Sequence, residues 1–434
     1  MRPGAGRAPA PILPLAYLVT ASSALVLAAL GVVVLAPALA GHYYQPRVLA
    51  LTHTVTLGWI TTTILGASYQ LVPLVLVRTL WSERTAWWTL AALMAGLVGM
   101  VSHFWLGHWS GLAWAAALVL VAVAAHVVNV GLTLRGLGRW SFTARLLAGA
   151  LAGLSATAVL GLVLGADKVF HVLGGDLFAT LHAHVQLALL GWVLPMVVGV
   201  SARVYPMFLQ AREPEGRAGS VQLAGLALGV PAVVLGLVTG LRPLVVLGAL
   251  AVAAAVVGHL VWIGTIVRTG RRPAIDWALS FALTGTLFVV PATAVGLALA
   301  LDVVSGPRFA LVYAVLVLGG WASLTIVGMI LKIVPFLVWY LAYGPFVGRA
   351  SVPKLGDVSV PAAERIAYAL LVPGMAGLAF AVGVGSPVLI RLAGLVVLAG
   401  TLGFAVALLR MLRHVTARRT VTPAAAPSLQ TPGV

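Results

Sequence analysis

Apolar runs of 18 or more residues, broken by short polar or basic segments, recur along the whole chain. They fall at about 12–40, 46–77, 85–108, 112–133, 143–165, 177–209, 219–241, 243–267, 277–301, 308–338, 362–388 and 391–412. About 20 apolar residues, wound as a helix, cross the hydrocarbon layer of a bilayer. Because lipid offers no hydrogen bonds to exposed peptide groups, each run must close its backbone bonds internally. The pattern therefore predicts an all-α polytopic membrane protein with twelve transmembrane helices. Arg2 and Arg7 precede the first run as they would in a secretory leader, but the run is long and no cleavage region stands clear of it. It reads as a retained span.

Composition narrows this further. Of 434 residues, 62% are hydrophobic and 8% charged, too few charges to coat a soluble protein of this size. The formal charge of +17 comes from 26 Lys and Arg against 9 Asp and Glu. In a soluble chain that excess would point to nucleic acid, so it must first be placed on the topology. With both termini cytoplasmic, twenty basic residues fall on the inner side and five, Arg47, Lys168, Arg242, Arg308 and Arg391, on the outer side. This bias predicts a multi-pass cell-membrane protein with both ends inside, and it accounts for the charge without nucleic acid. The chain contains no cysteine, which excludes disulfides, iron–sulfur clusters and thiolate metal sites. Residues 1–420 read as a single membrane domain, and the Ser/Thr/Pro/Ala-rich stretch 421–434 reads as a disordered cytoplasmic tail.

A threefold repeat runs through the domain. Gly58-Trp59, Gly66 and Pro73 in the second run match Gly191-Trp192, Gly199 and Pro206 in the sixth, and Gly320-Trp321, Gly328 and Pro335 in the tenth. Each set reads GW, six residues, G, six residues, P. Tryptophan is rare enough in this chain that the spacing marks three sets of four helices, about 12–133, 143–267 and 277–412. The second glycine, two turns beyond the tryptophan, permits close approach of a neighbouring backbone or of a flat cofactor. The proline, near the inner end, can terminate or kink the span. A packing role in a helical bundle explains the same residues without any ligand.

The histidines bring in candidate chemistry. Seven of the ten, His42, His53, His103, His108, His171, His182 and His184, collect toward one membrane face. Imidazole is costly to leave unpaired in hydrocarbon and is the usual nitrogen ligand of haem iron and copper, so the clustering points to a metal or haem site in the outer third of the bilayer. His53 is the leading single ligand. His103 and His108, in SHFWLGHW, are metal candidates that also fit an interfacial belt with Trp105 and Trp109. His182 and His184 stand two residues apart and point about 200° from each other, so they address two different partners. His126 and His259 read as packing or hydrogen-bonding residues. Lys332 and Arg203 read as snorkelling to the inner surface. No nucleotide loop or nucleophile constellation is present, and no catalytic residue is assigned.

The runs HTVTLGWITTTILGASYQLVP and LHAHVQLALLGWVLPMVVGVSARVYP resemble the catalytic-subunit superfamily of haem–copper oxidases, especially its cbb3 branch, and the NnrS-like haem and copper membrane proteins. The resemblance covers about residues 12–412. It implies twelve helices in three four-helix arcs with the cofactor-bearing helices second, sixth and tenth. It also implies haem b, with His53 as one axial ligand and His184 or His182 as the other, Gly66 and Gly199 beside the cofactor, and copper as a second candidate metal. The chain departs from that family at the tenth run, FALVYAVLVLGGWASLTIVGMILKIVP, which has no histidine, and in lacking the adjacent His-His of its copper site. The expectation is a haem-b-binding membrane protein acting in electron transfer or in nitric oxide or copper handling, with lipid and a redox or respiratory-complex subunit as partners. Two alternatives remain: a transporter or metal-handling protein without permanent haem, and a structural subunit of a respiratory complex.

Overall fold

The computed structural model describes residues 9–212, 216–271 and 275–417; the stretch 421–434 lies outside them. Among the described residues twelve helices are long and apolar enough to cross a membrane. They are α1 (Ile12–Val34), α2 (Pro46–Leu76), α3 (Glu83–Leu106), α4 (Trp109–Leu134), α5 (Phe142–Phe170), α6 (Leu177–Leu209), α7 (Arg217–Thr239), α8 (Arg242–Thr269), α9 (Trp277–Ala300), α10 (Pro307–Phe346), α11 (Pro361–Val384) and α12 (Pro387–Thr416). The protein is thus an all-α polytopic membrane protein. Large side chains such as Leu27, Leu228, Leu247 and Phe380 stand exposed on its outer surface, as lipid contact requires.

The helix starts follow local chemistry. Ser82 and Ser141 cap α3 and α5, accepting the amides of Thr85 and Ala144, and Asp176 and Asp276 do the same for α6 and α9 with Phe178 and Leu279. Proline occupies the first turn of α2, α8, α10 and α11, where its missing N–H leaves nothing unpaired.

Helix packing repeats with the sequence. The third and fourth helices of each set pair extensively, α3 with α4, α7 with α8 and α11 with α12. The first helix of each set packs along the second, α1 on α2, α5 on α6 and α9 on α10. Neighbouring sets join through α4–α5 and α8–α9, and α12 returns to α1 to close the ring. α2, α6 and α10 form the centre: 56%, 61% and 72% of their most apolar stretch is buried in protein, against 28–44% for the other nine. The motif glycines sit at these contacts. Gly66 lies against Tyr17 of α1, Gly199 against Leu146 of α5, and Gly328 against the backbone of Ala278 and Ala282 in α9.

The repeat prolines behave in two ways. Pro73 and Pro206 lie inside their helices, which end four residues on at Val77 and Gln210, each left-handed with φ 52°. The following amides, of Arg78 and Ala211, return to the carbonyls of Pro73 and Pro206. This satisfies a carbonyl that the helix end would otherwise leave bare. Pro335 terminates nothing: α10 continues past it, and the Trp339 indole donates to the Pro353 carbonyl in the next loop at 2.7 Å. Lys332, expected at the surface, instead pairs with Asp276 at the start of α9 and lies 5.3 Å over the Phe208 ring.

One contact sets the approach of α5 to α6. Pro195 has no N–H to offer the Gly191 carbonyl one turn back, and Gly153 of α5 packs directly on that carbonyl. Gly153→Ala should lower the thermal unfolding midpoint in detergent, at a cost of about 1–3 kcal/mol. Gly131→Ala, on an exposed part of α4 with open space around it, should stay within about 0.5 kcal/mol of the parent. Equal midpoints for the two variants would contradict the close approach.

Candidate functional site

Each central helix changes winding at its GW pair. Thr54–Thr61 of α2, Leu187–Val193 of α6 and Val315–Ser323 of α10 are π-helical, and each segment contains the repeated glycine and tryptophan. A π turn leaves carbonyls out of the ordinary i→i−4 ladder and is uncommon outside functional sites. Hydroxyls complete two of the three segments: Thr62 donates to the Leu57 carbonyl at 2.7 Å and Ser323 to that of Leu318 at 2.6 Å.

The tryptophans turn inward and link the helices. Trp59, Trp192 and Trp321 are all buried. Trp59 of α2 donates through Nε1 to Ser323 of α10 at 2.9 Å, and Trp192 of α6 donates to Thr61 of α2 at 3.3 Å. Both acceptors stand two residues after the tryptophan of their own helix, so the same bond is made twice around a pseudo-threefold axis. The third bond would run from Trp321 to the matching position of α6. That position is Leu194, which has no acceptor, and the Trp321 N–H is without a partner among the described residues.

Between the tryptophan level and the histidine end lies a cavity of about 860 Å³. Its wall is mostly aliphatic and aromatic, and His53, His184, Tyr313 and Gln186 supply polar groups within it. His53 stacks on Phe104, with ring centroids 5.1 Å apart and planes at 25°, and gives its Nδ1 to the Leu49 carbonyl at 2.8 Å. His184 gives its Nδ1 to the Thr157 carbonyl of α5 at 3.0 Å, and Gly161 leaves room for its ring.

His182 turns to a different part of the cavity wall from His184, as a spacing of two on a helix requires. Its Nε2 meets the Tyr43 hydroxyl at 2.9 Å, within an aromatic group of His42, Tyr43 and Phe178. Burial pushes the Tyr43 phenol above its ordinary pKa, so it remains protonated and donates. Lys168 lies 5.2 Å over Tyr44 and 5.5 Å over Trp109 at this end of the cavity. His126 bonds the Tyr69 hydroxyl at 2.9 Å and His259 is buried, both away from the cavity.

The expected haem b and copper require correction. Among the described residues no group of three or more His, Cys, Asp or Glu side chains gathers to hold a metal, and the chain has no cysteine, against a haem–copper centre. The proposed metal residues are dispersed for identifiable reasons. His103 gives its Nδ1 to the His108 carbonyl at 3.1 Å and packs edge-on against Trp114, fastening the turn between α3 and α4. His108 is exposed, and His182 is engaged by Tyr43. Gly66 and Gly199, expected beside a cofactor, lie against Tyr17 and Leu146, and the Gly199 carbonyl accepts from Thr143 at 3.0 Å.

Two cavity residues escaped the sequence reading, although the repeat register reaches them. Tyr313 stands eight residues before Trp321, as His184 does before Trp192, and Gln186 stands six before Trp192, as His53 does before Trp59. Tyr313 donates to Gln186 Oε1 at 3.4 Å, joining α10 to α6. Glu364, in the first turn of α11, is 5% exposed and accepts the Val360 amide at 3.1 Å.

No protein-family profile matches the chain, and no characterised protein matches it significantly.

The indole bonds can be tested. Thr61→Val keeps the shape but leaves the Trp192 N–H buried without an acceptor, a loss of about 1–3 kcal/mol. Thr61→Ser keeps the acceptor and should recover most of that stability, read from thermal unfolding of the purified protein. Equal loss in both variants would mean that the hydroxyl carries no such bond.

Proposed function

We propose that this protein binds and carries a small, largely apolar molecule within the membrane, holding it in the central cavity without a permanent haem. The observation that carries this reading is the cavity itself. About 860 Å³ of space with apolar walls and a few convergent polar groups, at the centre of a helix bundle, matches the ordinary form of a small-molecule site. A bundle with a purely structural role would gain stability by filling such a volume, since unfilled apolar space forfeits dispersion contacts.

The basic residues support an orientation with both termini in the cytoplasm. The histidine end of the cavity then lies toward the outer face, and the pair Lys332–Asp276 lies toward the inner one. We also propose that the ring of three four-helix sets, with α2, α6 and α10 inside, descends from the oxidase-like architecture that the GW repeat resembles, in a branch that put the central space to another use. The repeated packing supports that descent.

The test is a titration of the full-length protein in detergent with 1,4-dimethoxynaphthalene, followed by tryptophan fluorescence. Trp109, Trp192 and Trp321 line the cavity and report occupancy directly. Saturable one-to-one quenching is expected. Gly161→Leu, which extends a side chain from the wall beside His184, should weaken binding about tenfold or more, the scale of an overfilled apolar site. Non-saturable quenching, or binding indifferent to that substitution, would count against a cavity-bound ligand.

A further inference from the structure

This inference rests on the reading that the central cavity binds a small molecule, and it concerns what that molecule must offer. His53 and His184 both direct Nδ1 to a backbone carbonyl, that of Leu49 at 2.8 Å and that of Thr157 at 3.0 Å. A carbonyl oxygen only accepts, so in both rings Nδ1 carries the hydrogen. The one carboxylate lining the cavity among the described residues, Asp302, is exposed and paired with Arg242 at 2.7 Å. With no carboxylate beside either ring in an apolar wall, neither imidazole has an anion to hold a second proton against, and both are neutral. Each Nε2 is then a bare lone pair.

Neither Nε2 is sealed in protein. Buried side-chain atoms without partners include Nε2 of His126 and His259, but not those of His53 and His184, whose rings line the open cavity. The surrounding hydroxyls offer them no hydrogen. Thr52 donates to the Val48 carbonyl at 2.9 Å, Thr56 to that of Thr52 at 2.9 Å, and Thr157 to that of Gly153 at 2.8 Å. Tyr313 donates to Gln186 at 3.4 Å. This part of the wall keeps its hydrogens for protein and leaves two acceptors for a guest.

We infer that the cavity recognises an aromatic diol of the hydroquinone type, which donates one hydroxyl hydrogen to Nε2 of His53 and the other to Nε2 of His184. The ring would lie among aromatic and aliphatic groups such as Phe104, and the remaining volume accommodates an alkyl tail. The corresponding dione or diether, carrying acceptors only, sets lone pair against lone pair and is disfavoured, because a site built around a hydroxyl rejects the analogue that lacks it.

The experiment compares 1,4-dihydroxynaphthalene, kept reduced under argon, with its dimethyl ether on the full-length protein, by the same fluorescence titration. The diol should bind about tenfold or more tightly than the ether. His53→Phe and His184→Phe should each reduce that preference toward unity while leaving ether affinity within about threefold. Thermal unfolding of each variant verifies folding, and the comparison of the two ligands on the unaltered protein needs no variant. Equal affinity for diol and ether would overturn the inference and leave the cavity reading standing. A diol preference left undiminished in both histidine variants would also overturn it. Failure of both ligands to bind would overturn the inference together with the proposed function.

Discussion

Peptide carbonyls placed in hydrocarbon must find a hydrogen bond, and here that constraint is met in an unusual way along the three helices that hold the bundle together. α2, α6 and α10 each leave regular α-helical winding at the GW pair. Thr62 and Ser323 hydroxyls add hydrogen bonds to the Leu57 and Leu318 carbonyls of two of these segments and, in the third, Gly153 packs on the Gly191 carbonyl that Pro195 has no N–H to meet. The altered winding brings the tryptophans inside, where their indoles reach across to the neighbouring central helix. Close glycine contacts with α1, α5 and α9 then hold each central helix against the first helix of its own set. Ring closure, cavity and histidine placement all follow from those contacts.

The cavity is a product of the same arrangement. Between the indoles and the histidine end, the central helices do not fill the space between them, and the polar groups that line it are spent on one another to different degrees. Tyr313 and Gln186 satisfy each other across α10 and α6, and Tyr43 satisfies His182 from the connection between α1 and α2. His53 and His184 are held by backbone carbonyls on one nitrogen and face the cavity with the other ring edge. The difference between His184 and His182 is positional: two residues of offset on α6 separate a ring that faces α5 from one that faces the aromatic end.

The number and order of helices were legible because hydropathy is a strong signal in lipid, where a helix has no alternative way to satisfy its backbone. The GW repeat was legible because its spacing survives in three copies. What it means locally was not: no single-residue property announces a π turn, and Pro335, alike in spacing to Pro73 and Pro206, leaves its helix running. The histidines were read by depth alone, which gathers every ring near one face whatever it touches. His103 and His53 share a depth, yet one fastens a turn and the other lines a cavity. Depth also pointed toward haem b and copper, but ligation needs several side chains converging on one point, and convergence is a property of helix phase and tilt. Tyr313 and Gln186 were hidden because neither is a residue type that a search for metal ligands examines.

Leu194 gives the ring a seam. Of three equivalent joints at the tryptophan level, α2 to α10 and α6 to α2 are latched by an indole hydrogen bond, and α10 to α6 is not. The hydrogen bond that joins α10 to α6 lies instead in the cavity wall, from Tyr313 to Gln186, so the ring is fastened at two heights rather than one. A bundle that is threefold in helix order is thus asymmetric in its fastening, because Leu194 lacks the hydroxyl that Thr61 and Ser323 supply at the same position.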